Sequence, residues 1–259
     1  MMEILRAQPI ILAGGKGTRM KSELPKVMHS VNGEPMIGHV VRAVSEAGFT
    51  KSPVVVVCHG EQLVRDYLGD GVRYVRQSEP LGTGHAVLAT RELVKNQGEP
   101  LVVLCGDMPL VREATLRAIV SAREAHDSAI SMGVIKVPDF EDWRKSFYSF
   151  GRVMYDKDGN VQKITELKDA SDEERKMTNL NPSFYCFKPA FLWEHIAKIE
   201  ANNAQGEILL TDIIKIARDN GEKIVSVPVP PEEALGVNTK EDILIVEKFL
   251  LAQPRLGKM

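Results

Sequence analysis

Glycine and cationic side chains crowd one short stretch of this chain, Gly14-Gly15-Lys16-Gly17-Thr18-Arg19, with Pro25-Lys26 just beyond. Glycine lets backbone N–H groups approach a ligand with no Cβ in the way, and it accepts positive φ. Successive N–H groups in such a turn form a concave anion nest. Lys16, Arg19 and Lys26 add the formal charge that a polyphosphate needs. The run reads as a nucleotide-phosphate cradle, set against the plainer reading of a glycine-rich turn with solvated charges. Two common cradles do not fit. The dinucleotide fingerprint would place Met20 where its third glycine allows close helix–strand packing. The P-loop needs Ser or Thr directly after its lysine, and Lys16 is followed by Gly17.

A second candidate is Asp107, which follows an apolar run in Cys105-Gly106-Asp107-Met108-Pro109. A hard cation such as Mg²⁺ takes one or two protein oxygens plus phosphates and waters, and one carboxylate at a strand end suits it. A turn-forming Asx residue before Pro109 is the alternative. No Ser/His/Asp or Cys/His arrangement stands out. His85 opens a helical stretch and reads as structural. Asn238-Thr239-Lys240-Glu241 reads as a capping box opening the last helix.

These residues need elements to hold them. Pro9–Ala13, Pro53–Cys58, Val72–Arg76 and Leu101–Cys105 read as strands, the second and fourth as buried runs. Between them, Met36, Ile37, Val40, Val41, Val44 and Ala47 recur at helical spacing, and Gly48 supplies the stop. Gly82–Val94 and Arg112–Glu124 read as further helices. The β-α-β-α order implies a mostly parallel sheet covered on both faces, with ligands at the carboxyl ends of its strands. Both the glycine loop and Asp107 fall on that edge. After about residue 128 the pattern changes: Ala129–Val137, Arg152–Tyr155, Val161–Glu166, Phe184–Phe187 and Val225–Val229 read as strands. Asp158-Gly159 marks a hairpin. Lys188–Glu200, Leu209–Asp219 and Thr239–Leu251 read as helices. The expected organisation is one domain over residues 1–252. About 1–128 binds nucleotide, about 129–238 builds a second wall, 239–252 is the C-terminal helix, and 253–259 is a flexible tail.

Composition bounds the partners. The 259 residues carry 33 basic and 35 acidic side chains, a net charge of −2, which argues against a nucleic-acid surface. No stretch approaches the ~20 apolar residues of a membrane span. No secretory leader is expected from the short apolar run Ile10–Ala13. Cys58, Cys105 and Cys186 are odd in number and lack zinc-like spacing, so buried free thiols and a reducing, cytoplasmic setting are expected. A homo-oligomer stays open.

Gly14-Gly15-Lys16-Gly17-Thr18-Arg19 with Pro25-Lys26 resembles the signature of the sugar-1-phosphate nucleotidyltransferases. Gln77-Ser78-Glu79-Pro80-Leu81-Gly82-Thr83-Gly84-His85-Ala86, Gly106-Asp107-Met108-Pro109-Leu110, Glu166 to Glu173, Asn202 to Glu207 and Gly236-Val237-Asn238 are similar to its N-acetylglucosamine-1-phosphate uridyltransferase branch. The motifs keep the family's order from about residue 9 to 250.

The resemblance implies an α/β, Rossmann-like (glycosyltransferase-A-like) nucleotidyltransferase fold with a mostly parallel central sheet, helices on both faces and a smaller sugar-binding β-region. It implies transfer of UMP from UTP to a sugar 1-phosphate with Mg²⁺ as cofactor. Arg19, Lys26 and Asp107 would be the catalytic set, and Asp107 and Asn238 the metal ligands. Leu12, Ala13, Gly14, Gly15, Lys16 and Gly17 would bind the nucleotide, Ala13 to Gly17 holding its β- and γ-phosphates through backbone N–H groups, and Gln77, Gly82 and Thr83 would contact the uracil. Gly151, Glu166 and Asn181 would face the sugar; outside the match, Glu166 reads as a solvated strand-end charge.

The chain also departs from the family. Asn181-Pro182-Ser183 stands where Asn-Thr-Gly is usual, and Ile208 or Leu209 replaces an aromatic before Thr211-Asp212. UTP or dTTP transfer to glucose 1-phosphate or another hexose 1-phosphate is therefore the runner-up. A non-catalytic nucleotide-sugar-binding regulator is the alternative from another class, and a dehydrogenase is disfavoured by Met20. Bifunctional relatives continue into a β-helix acetyltransferase; if 259 residues is the natural length, that activity is expected to be absent.

Overall fold

In the computed structural model, which describes residues 4–15, 17–96 and 98–252, the first half alternates strand and helix as expected. Its elements are β1 (Gln8–Leu12), the short hairpin β2 (Ser30–Val31) and β3 (Glu34–Pro35), α1 (Met36–Glu46), β4 (Val54–Val57) and α2 (Glu61–Leu68). They continue with β5 (Arg73–Arg76), α3 (Thr83–Ala89), α4 (Arg91–Val94), β6 (Leu101–Cys105) and α5 (Glu113–Ala125). The second half comprises β7 (Ile130–Lys136), β8 (Gly151–Tyr155), β9 (Val161–Thr165), α6 (Asp172–Arg175), β10 (Asn179–Asn181) and β11 (Tyr185–Phe187). α7 (Pro189–His195), α8 (Asp212–Asp219), β12 (Ile224–Pro228) and α9 (Lys240–Ala252) close it.

The central sheet runs β5-β4-β1-β6-β11-β7-β12, and of these strands only β11 runs against the others. Every residue of β4, and Leu101 to Leu104 of β6, is buried, as a strand between two helical layers must be. α1, α5 and α9 cover one face with Ile37, Val40, Leu116, Ile119 and Val246. α3, α7 and α8 cover the other with Val87, Leu192, Ile213 and Ile214. Burial of these two apolar layers is the main stabilising term.

β7 joins the halves. Its first residues pair with β11 and β12, while Ile135 and Lys136 pair with β10, which starts the antiparallel β10-β8-β9 extension. Both β10 and β11 pair with β7, at Leu180↔Ile135 and Tyr185↔Met132. The four residues 181–184 therefore oppose only residues 133 and 134. A bulge stands where Asn181-Pro182-Ser183 lies.

Several expected spans are shorter. Gly82–Val94 splits at Thr90, whose buried hydroxyl donates to the Val87 carbonyl at 2.7 Å and competes with the helical ladder. Lys188–Glu200 is α helix only to His195 and a 3₁₀ turn to Lys198. Leu209–Asp219 becomes helical only at Asp212, because residues 208–210 are held by the turn before α3. The Asp158-Gly159 hairpin forms as expected, with Gly159 at φ +82° and the Asp156 carboxylate accepting from the Asp158 and Asn160 N–H groups. Residues 253–259 lie outside the described residues. Among the described residues, no helix is long and apolar enough to cross a membrane.

Candidate active site

The glycine loop leaves the carboxyl end of β1 and is anchored at both ends. The Ala13 N–H donates to Val56 O (2.8 Å), and Gly106 N–H donates to Leu12 O (2.9 Å), tying β1 to the loop that carries Asp107. This corrects part of the expected phosphate nest: while its sheet bond holds, the Ala13 N–H cannot reach a phosphate. Gly14, Gly15 and Gly17 donate to no described residue and remain available; Lys16 lies outside the described residues. At the far end Met20 is 2% exposed and packs in the core. The residue that broke the dinucleotide fingerprint is the loop's apolar anchor.

Gly17 shows why the loop needs glycine. It sits at φ +60°, and a Cβ there would lie 2.9 Å from the Lys26 Cβ. Any larger residue would force the loop away from Lys26. Lys26 opens a 3₁₀ turn whose next residue, Val27, is buried beneath it.

From that position the Lys26 ammonium forms a short ion pair with the Asp107 carboxylate and donates to Asn238 Oδ1 at 2.6 Å. Arg19 Nη2 donates to the same Asn238 oxygen at 2.7 Å. Four of the expected residues thus meet, although Lys26 and Asn238 are 212 positions apart. Asn238 is delivered by the Val237 N–H, which donates to the Asp107 carbonyl (3.0 Å). The expected capping box is displaced by one residue. Asp242 N–H donates to Thr239 Oγ1 (3.2 Å), and Asp242 Oδ2 accepts from the Thr239 N–H (2.8 Å) and the Asn238 N–H (2.8 Å). Capping therefore falls to Thr239 and Asp242, and the Asn238 side-chain oxygen Oδ1 is left to face the cations.

Among the described residues no cluster of three or more His, Cys, Asp or Glu is arranged to hold a metal. A Mg²⁺ ion shared with phosphates needs less. Asp107 Oδ2 and Asn238 Oδ1 converge on one ammonium, so a cation already stands between the two oxygens. Their geometry and chemistry fit a hard divalent ion. Cys105, at the end of β6 close by, has its thiol pushed up to about 12 by burial and by the Asp107 charge, so it offers no nucleophile. Cys58, Cys105 and Cys186 are all free, but only Cys186 is buried; Cys58 and Cys105 end their strands half-buried, on the ligand edge of the sheet, and not in the core as expected.

On the other flank of the loop, Gln77 is 4% exposed. Its amide nitrogen lies 3.1 Å from Gly82 O and 3.0 Å from His85 Nδ1. A Cβ on Gly14 would lie 3.1 Å from Gln77 Oε1, so the amide oxygen is turned toward the loop. Gly82 lies at φ +116°, where a Cβ would fall 2.4 Å from the Ile208 carbonyl oxygen. Thr83 Oγ1 accepts from Leu210 N–H (2.9 Å), Gly84 N–H donates to Ile208 O (2.8 Å), and Ile208 N–H donates to Leu81 O (2.7 Å). The Gln77–Thr83 turn is thereby sewn to the segment that carries Thr211.

Thr211 leads to the second wall. Its hydroxyl donates to Glu166 Oε1 (3.0 Å), and a Cβ on Gly151 would stand 3.3 Å from that same oxygen. Glu166 is not the solvated strand-end charge its local sequence suggests: burial raises its carboxyl above the usual range, with Asp212 and Asp169 adding to the effect. Asn181 is 5% exposed, and its Oδ1 accepts from Ser183 N–H at 3.0 Å. Ser183 takes φ +60°, a left-handed conformation that glycine adopts without cost. Ser183 thus carries a side-chain hydroxyl on a backbone conformation that suits glycine. Gly151, Glu166 and Asn181 share the β8–β9–β10 region. Thr211, from the Thr211-Asp212 motif, and Tyr185 join them; the buried Tyr185 hydroxyl faces Asn181 and Ser183, with Glu166 near, and has no hydrogen bond of full geometry among the described residues.

Residues 9–141 match the MobA-like NTP transferase domain family. The chain is 40% identical over 250 residues to the bifunctional protein GlmU of Heliobacterium modesticaldum, covering 96% of this chain and 52% of that protein. It is 38% identical over 251 residues to the bifunctional protein GlmU of Brevibacillus brevis, covering 96% and 53%. The chain spans about half the length of these curated relatives. A solved UDP-glucose pyrophosphorylase, complexed with UDP-glucose, superposes with a TM-score of 0.72 over 96% of this chain and 99% of that one; at 17% identity the likeness is one of fold. With its sheet order, its glycine loop and these matches, the chain belongs to the MobA-like NTP transferase family and has the Rossmann-like nucleotidyltransferase fold.

Proposed function

We propose that this chain transfers UMP from UTP to N-acetylglucosamine 1-phosphate, giving UDP-N-acetylglucosamine and pyrophosphate. The reading is carried by the convergence of Arg19, Lys26, Asp107 and Asn238 beside a glycine loop at the carboxyl ends of β1 and β6. A sugar phosphate is an anion near neutral pH and needs no general base. What the protein supplies is positioning and charge neutralisation. A phosphate oxygen of the sugar 1-phosphate bonds to the α-phosphorus as the bond to pyrophosphate breaks in line with it. Arg19 steadies the charge gathering on the leaving pyrophosphate. Lys26 exchanges Asp107 for phosphate oxygens at the reacting centre. Asp107 and Asn238 would hold Mg²⁺, which when bound neutralises phosphate oxygens and makes the phosphorus more electrophilic.

Gln77 Oε1 is an acceptor suited to the N3–H of uracil, and Gly82 leaves room for the ring. Glu166 and Asn181 offer an acceptor and an amide to sugar hydroxyls, with Gly151 keeping the backbone close. Identity of about 40% to proteins of the bifunctional GlmU type supports the N-acetylglucosamine branch. A second reading, transfer from UTP or dTTP to glucose 1-phosphate or another hexose 1-phosphate, is favoured by Ser183 and by the aliphatic Ile208-Leu209. Pyrophosphate release across nucleoside triphosphates and sugar 1-phosphates, with and without Mg²⁺, decides between them. The expected best pair is UTP with N-acetylglucosamine 1-phosphate, and only with the metal. Preference for glucose 1-phosphate selects the second reading, and no turnover with any pair removes the enzyme.

A further inference from the structure

We infer that His85 is a positioning residue for nucleobase choice: it holds the Gln77 amide so that only its oxygen is offered to the base. The inference rests on the proposed role of Gln77 in binding uracil. Gly82 O can only accept, so the amide group 3.1 Å from it must be the NH₂. The second hydrogen of that NH₂ points to His85 Nδ1 at 3.0 Å, which accepts it when the imidazole carries its proton on Nε2. Both amide hydrogens are then committed within the protein. Oε1 remains, turned toward Gly14 and taking no hydrogen bond from any described residue.

An acceptor fixed in this way is complementary to the N3–H of uracil and opposed to the N3 lone pair of cytosine. Gly82 O alone leaves one amide hydrogen uncommitted, and a rotated amide could offer it to cytosine. With His85 in place, that rotation breaks a hydrogen bond in a nearly buried site. His85 stands two residues beyond Thr83, on the first turn of α3, where the helix fixes its direction toward Gln77.

The test is equilibrium binding of UTP and CTP to the whole protein by calorimetry, which needs no sugar and no turnover. His85→Leu is expected to lower the CTP-to-UTP Kd ratio about tenfold. His85→Asn, whose Oδ1 can stand near the Nδ1 position, is expected to restore it to within about threefold of wild type. If His85→Leu does not fold, His85→Gln, whose amide extends toward the Nε2 position, carries the same expectation as the leucine variant. An unchanged ratio in the Leu or Gln variant overturns the inference, and so do equal losses in the Leu and Asn variants. Gln77→Leu separates the two ideas. If it loses the preference while His85→Leu keeps it, the base site stands and His85 has no part in it. If Gln77→Leu keeps the preference, Gln77 does not read the base.

Discussion

At the nucleotide edge of the site, Lys26 meets Asp107, and both Lys26 and Arg19 donate to the Asn238 oxygen. At the edge proposed for the sugar, Glu166 has one hydroxyl partner, the Asp212 carboxyl is likewise raised by burial, and the Tyr185 hydroxyl has no hydrogen bond of full geometry among the described residues. The first edge is charged and internally paired; the second is buried and short of partners. On the proposed function, a triphosphate and its metal would replace contacts that the protein already makes. A sugar would supply contacts that it lacks. The first edge is set up for exchange and the second for completion, which fits chemistry at one and selection at the other.

The largest expected effect tests the exchange. Asp107→Ala should lower kcat/KM about 10³-fold, the scale of losing a principal electrostatic contact in a transition state. Far-UV circular dichroism should be unchanged, because the Val237 bond uses the Asp107 backbone and not its side chain. Near-normal turnover would take Asp107 out of the site. Lys26→Met should lower turnover by about 10²-fold. It should also tighten Mn²⁺ binding to the nucleotide-free protein by about tenfold, since it removes the cation that neutralises Asp107. Unchanged Mn²⁺ affinity by calorimetry would show that the ammonium and the metal do not compete.

The same contrast explains what the sequence made legible. Gly14 to Lys26 is one continuous segment, and Asp107 ends an apolar strand, so local pattern places both on the ligand edge. Asn238 is marked only by resemblance, and its neighbours suggest a cap that in the fold belongs to Thr239 and Asp242. The contacts of Thr211, Tyr185 and His85 arise from packing. Thr211 reaches Glu166 because Ile208 and Leu210 are pinned to Leu81, Thr83 and Gly84, and no local spacing encodes that. α2 shows no apolar periodicity in the sequence because a single residue, Val64, is buried on it. β10 is three residues long with an asparagine at each end, too short to show alternation.

Glu166→Gln probes completion and has a smaller expected effect. It keeps an acceptor for Thr211 and removes the buried charge. KM for the sugar 1-phosphate should rise about tenfold, since bonds from hydroxyls to a carboxylate become neutral ones, while KM for UTP stays put. Stability should move the other way. The folded pKa of Glu166 is raised, so above the ordinary value of 4.5 the native state holds more protons than the unfolded chain. Its contribution to stability therefore falls as pH rises through the interval between the two values. Melting curves of variant and wild type should coincide near pH ~4. Near pH ~8 the variant should melt about 2–4 °C higher. A variant that melts lower across the range would mean that the carboxylate is stabilised by partners rather than strained by burial.

Ser183→Gly gives the smallest and most discriminating effect. Serine at φ +60° costs about 1 kcal/mol relative to glycine. The bond it gains, from Asn181 Nδ2 to Ser183 Oγ at 3.4 Å, is too long to offset that. The variant should therefore be about 0.5–1 kcal/mol more stable by urea unfolding. The Ser183 N–H bond to Asn181 Oδ1 involves only the backbone of residue 183 and should persist. Removing the hydroxymethyl group opens space beside Asn181, where, on the proposed function, an N-acetyl group would need room that a 2-hydroxyl would not. The ratio of kcat/KM for N-acetylglucosamine 1-phosphate over glucose 1-phosphate should rise about threefold, on the scale of a few atoms of pocket shape. If stability rises and the ratio does not move, the sugar does not reach the bulge, and the second wall selects through Glu166 and Thr211 alone.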